Sequence, residues 1–216
     1  MWKLQTYVKF DQKFKFSVRE VKIPGCLTRP PLEQALELLG QLLLDRGHHY
    51  EVVAIGGGGL LLIGLIDRPT KDLDLVAMRA GDALAPVGTL PAPLREAVED
   101  VARVLELAPN WLNGGPDSLL RFGLPAGFLK RVERRVFGAL AISLASRFDQ
   151  IHFKLYAAAD DKPGGKHHVD LQRLQPTHSE LRTAARWAQT HDPSDGFAVV
   201  LGGVLRAFGV DDGSAR

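Results

Sequence analysis

Cysteine is almost absent from this chain: Cys26 is the only one among 216 residues. That excludes a disulfide framework and a multi-cysteine zinc site, and makes a reducing, cytoplasmic compartment the expectation. Long apolar runs are missing too. The longest, Gly56 to Ile66, is nearly half glycine and falls short of the roughly 18–20 residues that a bilayer span needs, so no membrane association is expected. The opening "MWKLQTYVKF" lacks the continuous apolar core of a signal peptide. Charge imbalance is also small. A formal net charge of +2 permits a nucleic-acid partner without implying one. What is present, 45% apolar and 24% charged residues, suits a globular chain that buries a full core, as one domain or one domain with a small appendage.

Residues 1–25 set Lys3, Lys9, Lys13, Lys15 and Lys22 among aromatics with strand-like alternation. Such a segment fits an edge strand whose lysines block pairing with other chains, an RNA contact, or an extension outside the fold. Pro30-Pro31 opens a helix whose leucines recur at three- and four-residue steps until Gly47. Glu51 to Ile55 reads as a buried strand, Gly58 to Ile66 as a turn into a helix, and Asp72 to Ala77 as a strand with one wet face. Residues 79–92 read as a loop, Pro93 to Leu107 as a helix, "NWLNGG" as turns beside Trp111, and Val136 to Ala145 as one further strand. Trp111 is expected to anchor the core. Helical spacing then runs to the end. The expected fold class is α/β (α+β), a small mixed sheet flanked by helices over 1–146 with a helical half over 147–216 packed on it.

The chemistry concentrates in "VVAIGGGGLLLIGLIDRPTKDLDLVA", Val52 to Ala77. A dinucleotide fingerprint needs G-x-G-x-x-G, and both glycine registers put leucine, Leu61 or Leu62, at the third position. A P-loop fails as well, since no Gly-Lys-Ser/Thr follows. The aspartates say more. Asp72 and Asp74 lie one residue apart in a strand, so both carboxylates share a face while Leu73 and Leu75 face the core. Paired carboxylates repel unless a cation sits between them, and hard oxygen ligands at this spacing suit Mg²⁺ or Mn²⁺ with substrate phosphates. Glycines one helix upstream admit either phosphate or a packed neighbour close to the backbone.

A Gly-Gly turn, a short helix and then Arg68-Pro69-Thr70-Lys71-Asp72-Leu73-Asp74 resembles the polymerase-β-like nucleotidyltransferase superfamily. The stretch "RFDQIHFKLYAAADDKPGGKHHVDLQRL", with Asp149, Lys154 and Asp170, and the segment "NWLNGG" are similar to its AbiEii-like, toxin–antitoxin associated branch. The resemblance covers roughly residues 32–175. It implies an NTP substrate, metal on Asp72 and Asp74, and phosphate contacts from Gly56, Gly57, Gly58 and Arg68. It also implies that Thr70 and Lys71 shape the turn, and that Lys154 and Asp170 orient nucleotide or acceptor. The implied acceptor is an RNA such as tRNA, a protein or a small molecule, with a cognate antitoxin as partner.

Two readings stay open from the residues alone. Lys154 would face a phosphate, pair with Asp170 or snorkel from a helix, and Asp170 would form a structural ion pair or the rim of the site. Adjacent helical residues point about 100° apart, so His167-His168 reads as a surface pair rather than a metal site. Many active members of the superfamily carry a third carboxylate on a later strand, and "VFGALAISLAS" has only Ser143 as an interior polar residue. Asp149 or Asp117 would then stand in, or the site would bind nucleotide without turning it over.

Overall fold

The computed structural model describes residues 26–210; the basic segment 1–25 and the side chain of Asp117 lie outside the described residues. The first helix, α1 (Arg29–Asp45), starts on prolines whose missing amides cost nothing in a first turn. Its buried face is Leu32, Ala35, Leu36, Leu39 and Leu43. The chain continues as β1 (Tyr50–Ile55), α2 (Gly56–Leu62), β2 (Leu73–Ala80), β3 (Ala83–Ala85), α3 (Ala92–Leu105) and β4 (Leu112–Asn113). Two 3-10 turns, Asp117–Phe122 and Phe128–Lys130, lead into β5 (Glu133–Phe137) and β6 (Leu140–Leu144). Four helices close the described chain: α4 (Arg147–Ala159), α5 (Lys166–Arg173), α6 (His178–His191) and α7 (Asp195–Ala207). Among the described residues no helix is long and apolar enough to cross a membrane.

The fold is mixed α/β. Its sheet has the order β3-β2-β1-β6-β5, with β4 alongside β2. β1 lies antiparallel to β2 and parallel to β6. β3 and β4 share the edge of β2 that faces away from β1, β3 pairing the end near Met78 and β4 the start at Leu73 and Asp74. Alternation along β1 buries both of its faces: Val52 and Ala54 join one apolar cluster, Val53 and Ile55 another. The larger cluster takes in α1 and α3 and runs on through α4 to α7, ending at Val210. The smaller gathers Val76, Ala77, Phe128 and Phe153 on the opposite face. Trp111 is fully buried, and its indole N–H donates to the Val98 carbonyl at 3.1 Å, fastening the lead-in of β4 to α3.

Helix ends are set by side chains as well as by packing. Ser146 accepts the Asp149 amide, Thr177 and Glu180 form a reciprocal capping box, and Ser194 accepts the Phe197 amide. Trp187 of α6 packs edge-on against Phe153 and Tyr156 of α4, which locks those two helices together.

Four local expectations are corrected. The segment expected as one strand over Val136 to Ala145 is a hairpin, β5 and β6, turning at Gly138 with φ of 52°. The loop expected over 79–92 contains the end of β2 and all of β3. The turns expected in "NWLNGG" include β4, too short to show a period. The tetraglycine is not a turn before a helix but the first turn of α2 itself. Each glycine costs a helix about 1 kcal/mol relative to alanine, yet close docking outweighs that preference. A Cβ on Gly58 would stand 2.7 Å from the Asp72 carbonyl and 2.8 Å from the Leu73 side chain.

Candidate active site

The site grows from the junction of β1, α2 and β2. β1 delivers Gly56 at its end, and β2 runs back beside it, so Ile55 and Asp74 are direct neighbours across the antiparallel pair. Gly56 has φ of 76°, and a Cβ there would lie 2.7 Å from Asp74 Oδ2. Only glycine combines that backbone conformation with that approach. The sequence pattern for β2 holds: Leu73 and Leu75 are fully buried, while Asp72 and Asp74 are partly exposed on the other side. Asp72 sits one residue before the strand. Its carbonyl, held by the Thr70 hydroxyl at 3.2 Å, braces the turn.

Asp74 opens into a cavity of about 430 Å³ lined also by Gly56, Ser118, Lys154, Tyr156, Lys166 and His167. Burial, and next the Asp72 carboxylate, push the pKa of Asp74 up; Lys154, Lys166 and the Asn113 amide pull the other way. The site therefore contains a carboxylate pair whose mutual repulsion a cation would relieve. The donor set fits a small hard cation, since Mg²⁺ is held by one or two carboxylates together with waters and phosphate oxygens. The gap left by the absent Cβ of Gly56 keeps Asp74 reachable from the cavity.

Behind this wall lies a buried charge cluster. Asp170 is fully buried and accepts two hydrogen bonds from Arg68, Nε to Oδ1 at 2.7 Å and Nη2 to Oδ2 at 2.5 Å. Lys154 Nζ reaches Asp170 Oδ2 at 2.7 Å. Burial opposes ionisation of Asp170, but Arg68 and Lys154 hold its pKa below the usual carboxylate range. Burial also draws Lys154 down, against the pull of Asp170. The three side chains tie α5, α4 and the α2–β2 connection together and leave Lys154 on the cavity wall.

The other expected site residues separate by position. Gly57 packs against Thr70 and Arg68, Gly58 against the backbone at Asp72–Leu73, and Lys71 is exposed. Thr70 is buried, and its backbone bridges Leu27. Asp149, considered as a stand-in acid, is engaged elsewhere: Arg131 grips both of its oxygens, at 2.6 and 3.2 Å, and the Ser146 hydroxyl donates to it at 2.6 Å. His167-His168 is not a surface pair. His168 is buried and His167 partly so, because α5 turns its start into the cavity wall. Burial, then Lys154 and Lys166, lower the His167 pKa to about 4, so its ring is neutral near pH 7.

Three residues of the site had escaped the sequence reading. Gln150 is fully buried, and its Oε1 accepts the Gly56 amide at 3.1 Å, pinning the start of α2 to α4. Lys166 begins α5 after Gly164-Gly165, a glycine pair that could have marked a helix start. Asn113 is the direct partner of Asp74 across the parallel β4–β2 pair. The strands neighbouring Asp74 are thus β1 and β4, whereas the strand expected to carry the third acid, β6, lies beyond β1. Ser143 there accepts from Arg79 at 2.6 Å.

Comparison with protein-family models, curated proteins and solved structures finds no match to the chain.

Proposed function

We propose that this chain is a polymerase-β-like nucleotidyltransferase that moves a nucleoside monophosphate from an NTP to an acceptor hydroxyl on an RNA, a protein or a small molecule. The observation that carries this reading is Asp74, two residues after Asp72 and set against Gly56, on a cavity of about 430 Å³ whose lining also bears Lys154 and Lys166. Asp72 and Asp74 would hold Mg²⁺ or Mn²⁺, and the bound ion would supply charge neutralisation of the triphosphate and polarise its reacting phosphorus. Lys154 and Lys166 offer ammonium donors to phosphate oxygens, Lys154 held in place by Asp170. Arg68 acts at one remove, orienting Asp170 rather than touching phosphate. Gly56 and Gly58 bring α2 close enough that Asp74 faces the cavity and not a side chain. A toxin-like role in the cytoplasm, restrained by an antitoxin, belongs to the same reading.

A second reading has one observation in its favour. The sheet neighbour of Asp74 across β4 is the amide Asn113 and not an acid, and on this reading the chain would bind nucleotide and metal without transferring the nucleotide. Incubation with each α-³²P-labelled NTP, Mg²⁺ or Mn²⁺, total RNA and cell lysate separates the two. Label transfer that disappears in Asp72→Ala and Asp74→Ala supports the transferase. Nucleotide binding without transfer selects the second reading, and transfer that survives both substitutions overturns the first.

A further inference from the structure

Tyr156, on the cavity wall, is also the first ring of a row that leads out of it. Its ring lies 6.1 Å from Trp187 and 5.6 Å from His191, both on α6. His191 meets Phe122 edge-to-face at 5.5 Å. Trp187 meets His152 at 5.7 Å, and His152 packs on Phe148 at 4.6 Å. The Arg131 guanidinium closes the row, 4.9 Å from the centre of the Phe148 ring. His152 and His191 are buried, but Phe148 and Trp187 are partly exposed and Phe122 is 59% exposed. The 3-10 turn that carries Phe122 also puts Ser118 and Leu119 on the cavity, so ring row and cavity share both Tyr156 and this turn.

Cations accompany the rings. Arg182 and Arg186 stand one turn apart on α6, Arg186 next to Trp187, while Arg121 precedes Phe122 and Lys130 precedes Arg131. All four are exposed, and none has an acidic partner among the described residues. The acids of the same stretches are engaged where their side chains are described: Arg131 holds Asp149, Arg147 holds Glu180, and Asp192 accepts the Ser194 amide. Asp160, Asp161 and Asp195 belong to the cavity and the start of α7, at the Tyr156 end. Over 117–131, 146–152 and 178–192 six basic residues stand against four acids, whereas 26–110, with α1 and α3, has seven against twelve. Rings and free cations interleaved along one line match the repeat of base and phosphate in a single strand, whose bases stack on aromatics while phosphates meet arginine and lysine. A duplex hides its base faces.

We propose that this row is the docking surface for a single strand of RNA, laid across Phe122, Trp187 and Phe148 with its phosphates on Arg121, Lys130, Arg182 and Arg186. The strand's end reaches the cavity past Tyr156, which makes RNA the acceptor; this last step alone rests on the nucleotidyltransferase reading. The test is fluorescence anisotropy of the full chain with a labelled RNA of about 12 nucleotides, in a KCl series without NTP or metal. The expected result is binding that weakens with salt and exceeds that of the same sequence as a duplex. Phe122→Ala weakens it about tenfold and leaves the salt slope unchanged. Arg182→Gln with Arg186→Gln lowers the slope of log affinity against log salt by about 1.4, the share of two phosphate contacts. Arg95→Gln, on α3, changes neither, and Asp72→Ala with Asp74→Ala does not weaken binding; matching thermal melts show that the variants are folded. Affinity and slope unchanged in both row variants overturn the proposal. So does poly-glutamate that competes as well as RNA, which would mark a surface for acidic protein. Either failure leaves the metal and nucleotide reading of Asp72 and Asp74 standing. RNA binding at this row without label transfer supports the surface and counts against the transferase.

Discussion

Asp74 and Asn113 are direct partners across the short parallel pair of β2 and β4, and the Asn113 amide is held by the backbone of its own turn, its Oδ1 accepting the Gly115 amide at 2.8 Å. A two-residue strand thus decides which chemical group stands beside the acid at the centre of the site. Trp111, buried just before it, holds that strand in register, because the Leu73 amide donates to the Trp111 carbonyl at 2.7 Å.

The Asp170 cluster gives the largest expected stability effect. In Asp170→Ala, Lys154 keeps a buried charge without its counterion, which costs about 3–5 kcal/mol. Adding Lys154→Met to that variant restores part of the loss, since no buried ammonium then remains. Urea unfolding of both variants checks this; a double variant no more stable than the single one would show that the pair is not the source.

Gly56→Ala is expected to lose ~1–2 kcal/mol from its positive φ alone. The new methyl would also press on Asp74 Oδ2, so Mn²⁺ affinity should fall with stability. Gly196→Ala, on the surface of α7 with nothing near its Cβ, serves as the control and should leave Mn²⁺ affinity unchanged and stability no lower. Equal Mn²⁺ affinity in the Gly56 variant and the wild type would rule out the close approach.

Asp149→Asn separates structure from chemistry at a carboxylate that could be mistaken for a site residue. Weakening its bidentate bond with Arg131 should cost ~1.5–3 kcal/mol. Metal and nucleotide binding should not change. A drop in Mn²⁺ affinity in a folded Asp149→Asn protein would return this residue to the site.

His167 predicts a pH dependence. Its pKa falls from 6.5 to about 4 in the fold, with burial the main cause. The unfolded chain therefore takes up this proton first. The stability linked to a neutral His167 is complete above about pH 6.5 and is lost as pH falls through about 4. His167→Asn removes that component, so the wild type should lose ~1–2 kcal/mol more than the variant between pH 7 and pH 4, a shift discounted because the ring is partly exposed. Urea midpoints measured at both pH values test it, and parallel losses in the two proteins would refute it.

Short-range pattern was enough for several parts of this protein. The 3- and 4-residue leucine spacing of α1, the period-2 alternation of β2 and the helical run from α4 onward are local, and side-chain periodicity alone reports which face is buried. The pairing of Asp72 with Asp74 on one face followed from that alternation. The glycines were legible as a demand for close approach, with phosphate the favoured neighbour and packed protein the alternative. In the fold Gly58 packs against β2 backbone, and the Gly56 amide donates to Gln150.

What the chain alone determined, then, was the type of its long periodic elements and the position of two acids, because both depend on residues a few places apart. Tertiary structure decided which strand lies beside Asp74, which partner occupies Asp149, and that Arg68 serves Asp170. Each of these joins residues 18 to 102 positions apart in the sequence, Arg131 to Asp149 and Arg68 to Asp170 marking the two ends. No local period records such a pairing. It is fixed by sheet order and by the need of a buried charge for a partner, and both exist only once the chain has folded.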